Sequence, residues 1–342
     1  MIVRIFGGLG NQLFCYAFAR TLKLKFIKCK VSLDIKNGFK NDKQYLRKYK
    51  LGNLASNFDN SLISIINFLI KPYFIKKIES LFFLLKDYPI LKRFIVKIYT
   101  FDFDNKFNLK GDIIKSRIFI GYWQNKQIFY NYKSIIFSEI IDEFRIKKTK
   151  DDFKDIFLEN KSKKYIAVHV RSKSLDELCS YEYYKNALNE IEKKYGNNNY
   201  KVLIFSDGMN SSDELIKKIC VGENYLKLSF NDIDDFRIMA SCDGLIISRS
   251  TYSLWAGYLM HFLNTDSGIF YPDDFVFAPT QNLIMEDWIN DHINLFPTNP
   301  LIGPNINALG TRVAIGAPQN DGDSGDNVDG RGHVRIYKWV EY

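Results

Sequence analysis

The chain has 342 residues, with 48 Lys and Arg against 39 Asp and Glu and 46% hydrophobic residues, a soluble composition too long for one small core and suited to two α/β domains. The formal charge of +9 fits an anionic partner (a nucleotide, a phosphate-bearing lipid carrier, a membrane surface or nucleic acid) or simply a lysine-rich proteome. No uninterrupted apolar run is long enough to span a bilayer, and Cys15, Cys29, Cys179, Cys220 and Cys242 have no CxxC spacing from which a zinc site or a disulfide framework would follow.

The N-terminal stretch reads strand, glycine turn, helix. Ile2 to Phe6 is the strand, Gly7-Gly8-Leu9-Gly10 the turn and Asn11 to Lys25 the helix, with apolar residues at helical spacing. A second strand follows at Val31 to Ile35. No leader of the basic-then-apolar kind precedes the first strand, and the cysteine count is odd; both set the cytoplasm as the expected location. Residues 54–100 predict a helical insertion with interleaved basic residues, either packed on the domain or lying against anionic lipid. Arg117 to Ile120 reads as a buried strand running into Gly121-Tyr122-Trp123-Gln124, and the charged segment Lys147 to Lys164 as the connection to a second domain.

That second domain alternates strands (Tyr165 to Val170, Val202 to Phe205, Gly244 to Ile247) with helices (Ser180 to Lys194, Asp213 to Cys220, Asp232 to Ser241, Ser253 to Leu263). Alternation of this kind predicts a parallel sheet. From Ala308 the register breaks into two short strands around a loop crowded with Gly, Asp and Asn.

Four motifs stand where such sheets bind ligands. Gly7-Gly8-Leu9-Gly10 with Asn11 and Gln12 lies between a strand and a helix, where glycine allows a ligand to approach bare backbone and the helix N-terminus favours negative charge. A tight βα turn would need the same glycines. His169-Val170-Arg171 ends one strand with both side chains on one face, and an arginine there can grip a diphosphate bidentately. Ser206-Asp207-Gly208 ends the next strand, with Asp207 suited either to a base or ribose edge or to a helix cap. Ser248-Arg249-Ser250-Thr251-Tyr252 ends the third, a hydroxyl-rich helix start that offers N–H groups to phosphate. Three successive strand ends at one sheet edge describe a nucleotide-diphosphate pocket.

The segments GGLGNQLFCYAFARTLKLK (7–25), GYWQN (121–125), HVR (169–171), CSYEYYKNAL (179–188), FSD (205–207) and DFRIMASCDGLIISRSTYSLWAGYL (235–259) resemble the α1,2-fucosyltransferases of glycosyltransferase family 11, from Met1 to about Pro297. The resemblance implies a GT-B-like α/β fold: two Rossmann-like domains with a cleft between them, at 1–150 and 151–300. It implies a GDP-β-L-fucose donor, inversion at the anomeric carbon, no metal or other cofactor, and a galactose-containing glycan acceptor. Arg171 would hold the diphosphate, His169 and Asp207 would face the guanine, and Ser206, Ser250, Thr251 and Tyr252 would line the donor side. Asn11 would sit near the reacting centre from the other domain, with Gly8 and Gly10 beside it in the donor-binding site. The catalytic base is left open between Asp176 and Glu177, the carboxylates nearest HVR, and solvated-loop roles for both. Where the family carries HxRRxD this chain has Ser172-Lys173-Ser174 after Arg171, and Arg249 replaces a usual Asn. A non-catalytic sugar-nucleotide or glycan-binding relative is the rival reading. A nucleic-acid partner is not expected, because the basic residues are spread and no recognition motif is present.

Residues 301–342 form a separate β-rich tail in the expected domain plan. Its phrase VAIGAPQNDGDSGDNVDGRGHVRIYKW resembles a single FG-GAP repeat, with Asn320, Asp321, Asp323, Asp326 and Asp329 as oxygen ligands for calcium. One repeat cannot bury its own faces, so poor packing is expected there.

Overall fold

Strand β1 (Ile2–Arg4) is buried throughout, and the glycine turn after it hands the chain to helix α1 (Leu9–Lys25). The computed structural model describes residues 1–58 apart from 41 and 44, then 99–102, 118–157, 162–171, 179–196, 199–206, 210–220 and 224–272. It also describes positions 73, 77, 78, 80 and 283 and the strands at 305–306, 312–317 and 333–338. Most of the predicted helical insertion at 54–100 therefore lies outside the described residues. Residues Met1–His292 form one compact unit and Ile293–Tyr342 a second.

In the larger unit, β1 pairs in parallel with β2 (Ser32–Asp34) and with β4 (Ile118–Gly121), and β4 pairs with β3 (Tyr99–Asp102), giving the order β2-β1-β4-β3. Strand β3 falls at the end of the segment predicted as helical, so that prediction is corrected for Tyr99 and Thr100. Helix α1 is apolar around almost its whole circumference and correspondingly buried, while Lys23 and Lys25 in its last turn complement the helix dipole.

The second sheet runs β7-β6-β5-β8-β9, all parallel. Its strands are β5 (Lys164–Val170), β6 (Tyr200–Ser206), β7 (Tyr225–Leu228), β8 (Gly244–Ile246) and β9 (Gly268–Phe270). The chain order reverses between β5 and β8, which makes that crevice the place where an open α/β sheet binds its ligand. Strands β7 and β9 were not legible in the sequence; both are short, and each is an outer strand of the sheet. Among the helices, α2 (Lys133–Glu143) was likewise unpredicted. Helix α3 (Tyr181–Tyr195) buries Tyr184, Ala187, Leu188 and Ile191 on one face and is bounded by the Ser180 N-cap and Gly196 at φ 80°. Helices α4 (Asn210–Ile219), α5 (Asp232–Ala240) and α6 (Thr251–Leu263) complete the unit. Within Lys147–Lys164, read as a connection, two single helical turns form at Thr149–Asp152 and Lys154–Phe157.

One continuous core serves both sheets. Phe14 of α1 meets Trp255 of α6 edge-on at 5.2 Å, Phe129 stacks on Trp255 at 5.5 Å, and Phe137 of α2 stacks on Tyr258 at 6.0 Å. Such pairs add about 0.5–1.5 kcal/mol each beyond their area burial. Tyr258 also donates its hydroxyl to the carbonyl of Leu283, which is buried.

In the smaller unit β10 (Asn305–Ile306), β11 (Arg312–Ala317) and β12 (His333–Lys338) form an antiparallel sheet with Ala317 opposite His333. The five residues compared with calcium ligands lie outside the described residues. Among the described residues, no helix is long and apolar enough to cross a membrane.

Candidate functional site

The switch points of the two parallel sheets face one cleft. In the first sheet the crevice lies between β1 and β4, and the chain leaves β1 through Gly7 at φ 81°, a conformation that favours glycine. Gly8 then serves as the N-cap of α1 without any side-chain cap. From β4 the chain passes through Trp123 at φ 56°, an unusual conformation for a bulky residue. Trp123 is held by stacking on Phe18 at 4.0 Å. The next residue, Gln124, donates from Nε2 to Asn11 Oδ1 at 2.9 Å. Thr251 Oγ1 donates to the same oxygen at 3.1 Å. Both bonds fall on Oδ1, which orients the Asn11 amide so that Nδ2 is its donor end.

From sequence, Asn11 and Gln12 are two amides at the mouth of the glycine turn, both suited to holding hydroxyls or phosphate oxygens. Instead Gln12 is fully buried. Its Nε2 donates to the carbonyls of Gly7 and Lys48, both at 2.9 Å, and its Oε1 accepts from Lys50 N at 2.9 Å. Three bonds commit it to holding the segment around Lys48 against the glycine turn.

Across the cleft, His169 is the last residue but one of β5 and is 7% exposed. Its Nδ1 lies 2.7 Å from Ser248 Oγ, beyond the end of β8, so this pair spans the switch point itself. Its backbone carbonyl accepts from Tyr184 OH at 3.0 Å, and burial pushes that phenol well above its usual pKa, keeping it a donor. Arg171 Nη1 donates to Ser250 Oγ at 3.3 Å. Ser250 is the N-cap of α6 and accepts from Tyr252 N, also at 3.3 Å. Tyr252 donates to the carbonyl of Asp232 at 2.5 Å, its phenol raised well above the usual value first by burial and then by the Asp235, Asp232 and Asp234 charges.

The two helix N-termini meet. A Cβ placed on Gly10 would lie 2.4 Å from the Thr251 carbonyl carbon and 2.6 Å from Tyr252 N, so only glycine lets α1 and α6 approach this closely. Each start presents N–H groups that have no intrahelical carbonyl partner and the positive end of a dipole. Together with Arg171 they make a concentrated anion-binding region.

A cavity of about 250 Å³ fills the cleft. Of the residues singled out by sequence, it brings together Gly8, Gly10, Asn11, His169, Arg171, Ser206, Ser250, Thr251 and Tyr252. Asp207, Asp176 and Glu177 lie outside the described residues, as do Ser172, Lys173 and Ser174. Arg47, Asp232 and Asp235 also line this cavity and were missed. Asp232 forms an ion pair with Lys50 across the cleft, and Asp235 Oδ1 accepts from Phe230 N at 3.1 Å. Burial, then the neighbouring Asp234 and Asp232 charges, raise the Asp235 carboxyl above its ordinary pKa. A second cavity of about 380 Å³ adjoins on the side of the N-terminal sheet, lined by Gly7, Gln12, Tyr45, Leu46, Lys48 and Lys50, and it shares Gly8, Leu9, Arg47 and Asp232 with the first. Among the described residues no group of three or more His, Cys, Asp or Glu could hold a metal ion.

The family model described as Glycosyl transferase family 11 matches residues 1–290. An α-1,2-colitosyltransferase of Escherichia coli is 25% identical over 283 residues, which are 79% of this chain and 89% of the relative. The O-antigen biosynthesis glycosyltransferase WbnK of Escherichia coli is 23% identical over 319 residues, 83% of this chain and 98% of the relative. Among solved structures, the fucosyltransferase NodZ from Bradyrhizobium aligns at 12% identity and a TM-score of 0.41, covering 75% of this chain and 91% of its own. A point mutant of Arabidopsis thaliana FUT1 in complex with GDP aligns at 10% identity and a TM-score of 0.45, covering 82% of this chain and 71% of its own.

Proposed function

Because the chain belongs to glycosyl transferase family 11 and is a glycosyltransferase, we propose that it moves L-fucose from GDP-β-L-fucose to a galactoside hydroxyl. The transfer is of the α1,2 type, inverts the anomeric carbon and needs no metal. The observation that carries this reading is the meeting of the α1 and α6 N-termini at Gly10 and Thr251, beside Arg171 and Ser250. That arrangement suits a group whose negative charge grows during reaction.

In this reading the diphosphate lies against the Ser250–Tyr252 helix start and Arg171. As the bond from the anomeric carbon to the phosphate oxygen breaks, its electron pair stays on GDP, and Arg171, permanently charged, stabilises it. His169, oriented by Ser248, and Asp235 flank the base. A carboxylate is the acceptor that guanine's N1–H and amino group require, a role for which Asp235 joins Asp207, the residue the family resemblance implies. Asn11 positions the reacting sugar from the opposite wall. The acceptor occupies the adjoining cavity, with its hydroxyl proton passing to a base for which Asp176 and Glu177 are the candidates from sequence. The acceptor is a cell-surface glycan precursor, and the enzyme works in the cytoplasm at or near an anionic membrane surface.

A second donor is favoured by one observation. The colitosyltransferase relative is named for a different sugar, and this chain departs from the family's HxRRxD pattern directly after Arg171. Purified protein incubated with GDP-fucose or GDP-colitose and β-galactosides, with linkage analysis of products, decides between them. An α1,2-fucosylated product is expected. GDP binding without transfer from either donor would overturn the enzymatic reading in favour of a binding protein.

A further inference from the structure

Residues 42–50 read Asp-Lys-Gln-Tyr-Leu-Arg-Lys-Tyr-Lys, a basic, aromatic loop outside every motif used above. Asp42 shapes it: its Oδ1 accepts from Tyr45 N at 3.0 Å and its carbonyl accepts from Leu46 N at 3.1 Å. Leu46 then adopts φ 48°, the left-handed region, while 74% exposed. A branched side chain in that conformation costs on the order of 1 kcal/mol or more, and an exposed one recovers none of it through packing. Behind the loop, the buried Gln12 clamps the Lys48 carbonyl and the Lys50 N–H to the carbonyl of Gly7. Turn, left-handed residue and clamp flank one side chain, Arg47.

Arg47 lines both cavities of the cleft. In the first it shares the space with Arg171, Ser250 and Thr251 but comes from the half built on β1–β4, whereas Arg171 comes from the end of β5. Its guanidinium lies over the Tyr45 ring at 4.1 Å, and its carboxylate neighbour Asp42 is 3.8 Å away. Stacking occupies a face of the guanidinium and leaves the N–H edge for hydrogen bonding.

We infer that Arg47 is a second arginine of the donor site, binding the diphosphate of the nucleotide sugar from the wall opposite Arg171. The inference rests on the nucleotide-donor reading proposed above. It gives this chain two guanidiniums on the leaving group although position 172 is serine. During transfer the acceptor oxygen bonds to the anomeric carbon, its hydroxyl proton passes to the base of the proposed mechanism, and the carbon–oxygen bond to phosphate breaks. The electron pair remains on phosphate between Arg47 and Arg171, and neither arginine gives up a proton. Because Arg47 also borders the second cavity, it stands where the leaving group and the acceptor meet.

Calorimetric titration of the full chain with GDP and with GMP tests this. Arg47→Ala is expected to weaken GDP binding about tenfold, the usual scale for a charge-assisted contact, and GMP binding much less. Arg47→Lys is expected to fall between Ala and wild type, and thermal unfolding of both variants to match wild type. GDP affinity within about twofold of wild type in Arg47→Ala, or equal losses for GDP and GMP, would overturn the assignment. Arg171→Ala separates the two levels of the argument. If it weakens GDP binding while Arg47→Ala does not, only the role of Arg47 fails; if neither variant matters, the nucleotide-site reading fails as well.

Discussion

At Asp235 the proposed base-reading role and stability pull in opposite directions. Burial first, and then the charges of Asp234 and Asp232, raise its carboxyl pKa, while the Phe230 N–H opposes the rise. A carboxyl whose folded pKa is raised contributes stability that is complete below its unfolded pKa and lost as pH climbs through the folded value. At neutral pH an ionised Asp235 is therefore a cost to the ligand-free protein. Asp235→Asn keeps an oxygen for Phe230 N and removes that cost, so its Tm is expected to exceed wild type at neutral pH, with the gap closing in acid. The same variant is expected to lose about tenfold in GDP affinity, since it forfeits a charged acceptor. Thermal unfolding at both pH values and a GDP titration check the two halves; a lower Tm at neutral pH would sink the electrostatic argument. His169, Arg171 and Ser250 were legible beforehand because strand ends announce themselves by periodicity. Asp235 and Arg47 were not, because one reads as an ordinary acidic first turn of a helix and the other sits in a loop with no pattern. What brings both to the cavity is the packing of distant segments, and local sequence does not encode that.

Two glycines two residues apart do different work, and only the packing of the helices distinguishes them. A Cβ on Gly8 would meet nothing within 4 Å, and its φ of −71° is open to any residue. A Cβ on Gly10 would strike the backbone of Thr251 and Tyr252, which can relieve the clash only if α1 and α6 separate. Gly10→Ala is accordingly expected to destabilise the protein by roughly 1–3 kcal/mol, the range for overpacking. It should also weaken GDP binding, because the paired helix starts move apart. Gly8→Ala is expected to unfold at the same denaturant concentration as wild type while still narrowing the cavity that Gly8 lines. Chemical denaturation of both variants separates them, and equal midpoints would refute the close-contact account. The sequence made the βα turn and the following helix readable. It could not rank the glycines, since the surface that Gly10 touches is about 240 residues away along the chain. Strands β7 and β9 escaped notice for a related reason: they are short, and their strand character comes from the sheet they join rather than from their own pattern.

At the scale of the whole molecule, both described cavities lie in Met1–His292. The family match ends at residue 290, every described residue of both cavities precedes 253, and a tie to the core reaches as far as Leu283 through Tyr258. The antiparallel sheet β10–β11–β12 belongs to the other unit. Strand β11 pairs antiparallel with β10 on one side and with β12 on the other, the latter in register from Arg312 opposite Lys338 to Ala317 opposite His333. None of the described residues of this unit lines either cavity, and the family match does not extend into it. Deleting residues 293–342 is therefore expected to leave donor KM and kcat within about twofold of the full chain. The main unfolding transition should also keep its midpoint, because the apolar burial that sets it lies in the larger unit. Steady-state transfer assays and calorimetric unfolding of the truncated and full-length proteins measure both. A lost or broadened transition would mean that the larger unit draws part of its cohesion from the tail, and a selective rise in acceptor KM would instead make the tail a contributor to acceptor recognition.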